Sequence, residues 1–185
     1  MKPIQDLIAE HEAVKLTLRI LDKICSNIEQ TKKISKPEHL NQLIEFFSVF
    51  VDQCHHGKEE ELLFPALEAS GVPREKGPIG VMLAEHQQGR DYIQKMKEAI
   101  SQYDEGHQEA AAKLLKNARG YITLLRQHID KENNVLFPIG DNRLSEKKKE
   151  ELWEGFETIE RQKIGVGKHE EFHKMIEYLK SVYLE

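Results

Sequence analysis

The sequence predicts an all-α protein: an antiparallel up-down-up-down four-helix bundle with two additional C-terminal helices. Apolar residues recur at spacings of three and four along several long segments, which marks amphipathic helices. Clusters of Gly, Pro, Ser and Asp separate those segments at short intervals. The third observation is an internal repeat. Cys54-His-His-Gly-Lys-Glu-Glu-Glu-Leu-Leu-Phe-Pro65 is echoed by Gln127-His-Ile-Asp-Lys-Glu-Asn-Asn-Val-Leu-Phe-Pro138. His55 falls on His128, Lys58 on Lys131, Glu59 on Glu132 and Phe64 on Phe137, at a constant offset of 73 residues.

From Ile4 to about Ile28, Leu7, His11, Val14, Leu18, Leu21 and Cys25 share one helical face. A connection follows, and Ser35-Lys-Pro-Glu38 has the form of a capping box opening the second helix. That helix carries His55 and Glu59 on the face of Leu43, Phe47, Val51 and Leu62. The adjoining register, Ile44, Ser48, Asp52, His56 and Glu60, is more polar, so His56 and Glu60 are expected to face outward or to support the inner residues from behind. Ser70 to Pro78 reads as a loop. The third helix aligns Met82, His86, Gly89, Ile93, Met96 and Ile100. After a turn near Gly106, the fourth aligns Leu114, Ala118, Tyr121, Leu125, His128, Glu132 and Val135. Residues 1–140 form the expected bundle, and 141–185 an extension packed on it. In the extension Ser145 caps one helix, Gly165-Val-Gly167 breaks it, and a last helix places His169, Phe172, His173, Ile176, Leu179 and Tyr183 together.

The composition sets limits on function. The 185 residues suffice for one domain with a real core. With 39% hydrophobic and 32% charged residues and a net charge of −5, acids and bases interspersed, neither nucleic acid nor an anionic membrane is an expected partner. No apolar run approaches the roughly 20 residues of a membrane span. Two cysteines without Cys-x-x-Cys spacing exclude a disulfide scaffold or a thiolate zinc site. The N-terminal residues lack a signal-peptide pattern, and a cytoplasmic location is the expectation.

A helical His-x-x-x-Glu pair is usually a surface contact. Four histidines here have Glu four residues on: His55, His56, His128 and His173. Two of them, His55 and His128, lie in apolar stripes with the same Leu-Phe-Pro ending. A carboxylate on an apolar stripe is costly unless paired or bound to a metal. Each helix pair then gives one histidine from its first helix, His11 or His86, and His-x-x-x-Glu from its second. Antiparallel packing converges His11, His55, His86 and His128 around Glu59 and Glu132. Four imidazoles and two carboxylates exceed one tetrahedral zinc and suit two first-row metals with bridging glutamates. His169 is a candidate fifth imidazole from the extension. Gly89, in a helix interior where it costs about 1 kcal/mol against alanine, is a candidate for close helix packing or for ligand space beside the metal. Tyr121, on the same inner face of the fourth helix, is a second candidate for lining that space.

These residues resemble the hemerythrin-like (HHE cation-binding) domain family, in the pattern His…His-x-x-x-Glu…His…His-x-x-x-Glu over residues 3–140. The resemblance implies a non-haem di-iron centre, oxo- or hydroxo-bridged, held by His11, His55, Glu59, His86, His128 and Glu132. It also implies dioxygen or another small diatomic as ligand, for sensing, storage or delivery. The alternative is a di-iron enzyme reducing peroxide or nitric oxide, or supplying iron for cluster repair. Oxygen-carrying members have five histidines, two of them on the third helix, where this chain has only His86. A fifth imidazole from His169 would leave one open position and suit reversible oxygen binding; without it, a second open position suits redox chemistry.

Overall fold

The computed structural model describes residues 3–165 and 167–185, and among these it contains six helices and no strand. Helix α1 is Pro3–Thr31. Helix α2 is one continuous rod over residues 37–69, and α3 is Pro78–Asp104. Helix α4 is a second continuous rod over residues 110–143, followed by α5 (Glu146–Lys163) and α6 (Lys168–Tyr183). α1 outruns its predicted end by three residues, because Ile28 O accepts from the N–H of Lys32 at 2.8 Å as the chain turns out through a positive φ of 59°. The expected capping box does not form. Lys36 occupies the N-cap without a side-chain bond, and Pro37 supplies the preset φ of the first turn. Ser145 does cap α5, its hydroxyl accepting from Lys148 N–H at 3.3 Å. Val166, in the predicted break between α5 and α6, lies outside the described residues.

Two apolar clusters fix the up-down-up-down order. One holds Ile4 and Leu7 of α1, Leu63 and Leu67 of α2, Ile79 and Met82 of α3, and Leu136 and Phe137 of α4. The other holds Leu18 and Leu21 of α1, Leu43 and Phe47 of α2, Met96 and Ile100 of α3, and Leu114 and Ala118 of α4. The start of each odd helix therefore meets the end of each even one. Between the clusters lies a buried polar layer: His11, His55, His56, Lys58, Glu59, His86, His128 and Glu132.

Both rods carry a π-helical turn at that layer. In α2 it spans Glu59–Leu63 and closes with Phe64 N–H on Glu59 O; in α4 it spans Glu132–Leu136 and closes with Phe137 N–H on Glu132 O. The proline two residues further on, Pro65 or Pro138, gives the local reason. A proline ring strikes the carbonyl four residues back in a regular helix, and the wider i→i+5 turn relieves that contact. A longer π stretch, Phe47–His55, precedes the first site and ends with His56 N–H on Val51 O. It rotates the following residues, so that His55 and His56 both point inward.

The extension adds to the same cores. Leu152 and Phe156 of α5 join the first cluster, and Phe172, Ile176 and Leu179 of α6 the second. The extension is also tied by charge, through Glu160, which lies 3.2 Å from the fully buried Lys58 and 3.1 Å from His169. The His169 hydrogen bond, with Lys58 beyond it, lowers the Glu160 carboxyl to about 2 against the opposing effect of burial. Glu160 in turn raises His169 above its usual value of 6.5. Glu160 contributes stability above about 4.5, its usual value, that is lost as pH falls toward about 2. His169 contributes below 6.5 and loses its share as pH rises through its raised value. The denaturation midpoint is expected to be highest between these limits, and Glu160→Gln should flatten the acid limb; an unchanged acid limb in that variant contradicts the account.

Candidate metal centre

Five imidazoles and two carboxylates meet in the polar layer. The ligand atoms of His56, Glu59, His86 and His128 lie within 4.8 Å of one another, and so do those of His11, His55, Glu59 and Glu132. Glu59 stands between the halves, with Oε1 3.7 Å from His55 Nε2 and Oε2 3.3 Å from His86 Nε2. Glu132 does the same, with Oε2 3.2 Å from His11 Nε2 and Oε1 3.3 Å from His128 Nε2. The structure thus brings together all six residues that the two motifs and their partner helices predicted.

The imidazoles are oriented from behind. His55 Nδ1–H donates to Glu10 at 2.6 Å, His86 to Glu60 at 2.7 Å, His128 to Glu85 at 2.9 Å and His11 to Asn133 Oδ1 at 2.8 Å. His56 Nδ1 faces Asp52 at a longer 3.4 Å. A carboxylate only accepts, so in His55, His86 and His128 a ring proton sits on Nδ1 and Nε2 faces inward, where a metal could replace any proton it carries. The inward Nε2 atoms then approach in pairs, at 3.0 Å (His11 and His55) and 3.1 Å (His86 and His128). All four oxygens of Glu59 and Glu132 are buried without a hydrogen bond. Two buried carboxylates need positive charge beside them, from protonated imidazoles or from cations, and imidazole with carboxylate suits divalent first-row metals.

The repeat accounts for most of this shell. Lys58 binds Glu10 at 2.5 Å, and Lys131 pairs with Glu85. Glu60 and Asn133 occupy equivalent positions and orient equivalent histidines. Phe64 stacks on His86 with ring centres 5.8 Å apart, and Phe137 on His11 at 5.5 Å, closing the layer to water from the same side. The repeated Lys and Phe therefore have structural roles that were visible in the sequence but unread. Glu10-His11 and Glu85-His86 form a matching pair of dipeptides in which each glutamate orients the histidine of the next helix. The symmetry breaks at one inward position: His56 corresponds to Ile129.

Two expectations need correction. His56 is not outward; it is 4% exposed and stacks on His86 at 3.7 Å, because the π stretch before it turns two successive residues inward. His169 does not reach the cluster. It remains at the surface of α6, edge-on to Phe50 and bound to Glu160, and His173 is exposed as well. The fifth inward imidazole is His56. Glu60 does support the site from behind, and Gly89 and Tyr121 line a cavity of about 300 Å³ that reaches His56 and His86.

Burial opposes charge on His128, but Glu132, Glu85 and Glu59 overcome it and raise its pKa to about 10 in the metal-free chain. Burial likewise works against charge on His55, where Glu59 and Glu10 prevail. His56 goes the other way: burial and then its neighbouring histidines lower it well below the usual value.

The geometry agrees with the sequence comparisons. Residues 2–139 match the Hemerythrin HHE cation binding domain model, and the chain belongs to that family. It is 26% identical over 161 residues to the Uncharacterized protein Rv1995 of Mycobacterium tuberculosis, covering 87% of this chain and 62% of that one. It is 36% identical over 87 residues to the Iron-sulfur cluster repair protein YtfE of Yersinia pestis, covering 45% of this chain and 39% of the relative. The chain thus spans less than two thirds of the length of these relatives. No described helix is long and apolar enough to cross a membrane.

Removing an outer partner of a metal-bound imidazole typically lowers metal affinity 10–100-fold. Glu10→Gln, which keeps the shape and removes the charge that holds His55, is expected to weaken metal binding by about that factor in a chelator competition while the helical circular dichroism stays unchanged. Unaltered affinity would show that Glu10 does not orient a ligand.

Proposed function

We propose that the chain is a non-haem di-iron protein that binds dioxygen reversibly, for sensing, storage or delivery in the cytoplasm. The observation that carries this reading is the unequal donor set. Three imidazoles and Glu59 face one half, while two imidazoles, Glu59 and Glu132 face the other. Were both glutamates shared between two metals, the His11 and His55 half would have one protein donor fewer than the His56, His86 and His128 half. Iron held there supplies an open position for a diatomic ligand and the electrons to exchange with it. The chain's own contribution is enclosure. Phe137 covers His11, and His11, His55, Glu59 and Glu132 are buried, which keeps water from a ligand held in that half.

A second reading is supply of iron for cluster repair, and the resemblance to YtfE favours it. The two differ in what happens to the metal. A carrier or sensor keeps its iron through cycles of air and reduction, whereas a supplier releases it to an acceptor.

Metal analysis of protein purified without chelators is expected to give two irons per chain. The reduced protein should develop a charge-transfer band in air that disappears on removing oxygen, with the iron retained. His56→Ala, which opens a second position, should replace reversibility by rapid oxidation. Substantially fewer than two irons, or irreversible bleaching of the unmodified protein with loss of iron, contradicts the carrier reading.

A further inference from the structure

A cavity of about 300 Å³ opens between α2 and α3 and runs from the surface to His56 and His86. Its inner walls are the flat or branched apolar groups of Phe47, Ile93 and Tyr121, all buried. A diatomic ligand would leave most of that space to water, whereas cavities of this size begin the range that holds small organic molecules. The space is not a by-product of helix packing. A glycine inside a helix costs about 1 kcal/mol relative to alanine. A Cβ built on Gly89 would have its nearest neighbour, Tyr121 Cε2, at 3.6 Å, an ordinary contact. At Gly120, by contrast, a Cβ would lie 2.6 Å from the Tyr92 ring. Close packing requires the glycine at Gly120 but not at Gly89, which lies on the cavity wall.

The charges of the lining choose the ligand. Arg90 is committed, at 2.7 Å to Asp52 and 2.6 Å to Glu60. Asp52 is thereby paired, and Glu60 is tied to His86 as well. Lys97, at the exposed mouth, makes no ion pair among the described residues. Ser48 Oγ, on the wall, is buried without a hydrogen-bond partner. The lining thus offers a free cation at the entrance, an unused hydroxyl, and an apolar slot leading to the imidazoles.

We propose that this cavity binds a small organic carboxylate, with its acid group at Lys97 and its apolar body between Phe47, Ile93 and Tyr121, beside the metal centre and not on it. The site goes beyond diatomic binding and does not depend on which metal the centre holds.

Benzoate is the probe, and benzyl alcohol its uncharged counterpart of similar shape. Backbone amide shifts are followed in the full chain loaded with zinc, whose metal content is measured in the same samples. Benzoate should give saturable shifts around the cavity with a dissociation constant in the millimolar range or below. Benzyl alcohol should bind about tenfold more weakly, Lys97→Met should cost benzoate about fivefold, and Gly89→Leu, which fills the slot, should abolish the shifts. Lys97 is exposed, so its variant folds whatever Gly89→Leu does. The proposal is overturned by an absence of saturable shifts, by equal binding of the two probes, or by indifference to Lys97→Met. A change in the optical spectrum of the cobalt-loaded protein that persists in Lys97→Met would mean that benzoate ligates the metal, which also overturns it. Zinc below two per chain with these shifts intact would count against the di-iron reading and leave this one standing.

Discussion

Two carboxylates, Glu59 and Glu132, lie at the centre of the bundle with no exposed surface and no hydrogen bond to any of their four oxygens. An isolated buried carboxylate costs many kcal/mol and ordinarily takes up a proton. Here the only nearby source of positive charge is the imidazoles, whose Nδ1–H groups stay tied to their outer partners and whose Nε2 atoms face the carboxylates, open to a proton or to a metal. The layer is organised for external positive charge. Much of the remaining structure follows: the two apolar clusters that seal it, the phenylalanines stacked on His11 and His86, and the lysines that hold Glu10 and Glu85 in place.

The outer ring is charged as deliberately as the inner one. Lys58 is fully buried among Asp6, Glu10 and Glu160, with the last contributed by the extension. Its counterpart Lys131 is 42% exposed and pairs with Glu85. A buried lysine surrounded by acids is a poor source of net stability, because desolvation offsets much of the attraction. It is, however, a firm way to fix a carboxylate behind an imidazole. The extension therefore bears on the half that holds His55 through one chain of contacts, from His169 and Glu160 through Lys58 and Glu10.

Much of this was legible in the amino-acid sequence. The repeat located both His-x-x-x-Glu motifs, and the three-four periodicity placed His11 and His86 opposite them; all six meet as expected. What the sequence pattern could not convey was helix pitch. A face drawn at 3.6 residues per turn sends His56 outward, and the π stretch over Phe47–His55 brings it in. Pro65 and Pro138, which a regular helix accommodates badly, signal only the shorter π turns at Glu59–Leu63 and Glu132–Leu136; no proline marks the stretch before His56. His169 misled for a different reason. Its apolar spacing with Phe172 and Ile176 is real, but the stripe faces Phe46 and Phe50 at the far side of α2, and the histidine stays at its edge. Gly89 was ambiguous until the space around it could be measured, since glycines placed for packing and for ligand room look alike in one sequence.

Near-twofold symmetry with a single inward exception, His56 against Ile129, gives the centre two unlike halves. Crystals of protein purified with its metal retained, measured for anomalous scattering on both sides of the iron absorption edge, test this most directly. The account predicts two iron peaks, one in bonding contact with Nε2 of His56, His86 and His128, the other with Nε2 of His11 and His55, and both glutamates spanning them. A single peak, or an imidazole of His56 turned away from the metal, would contradict it.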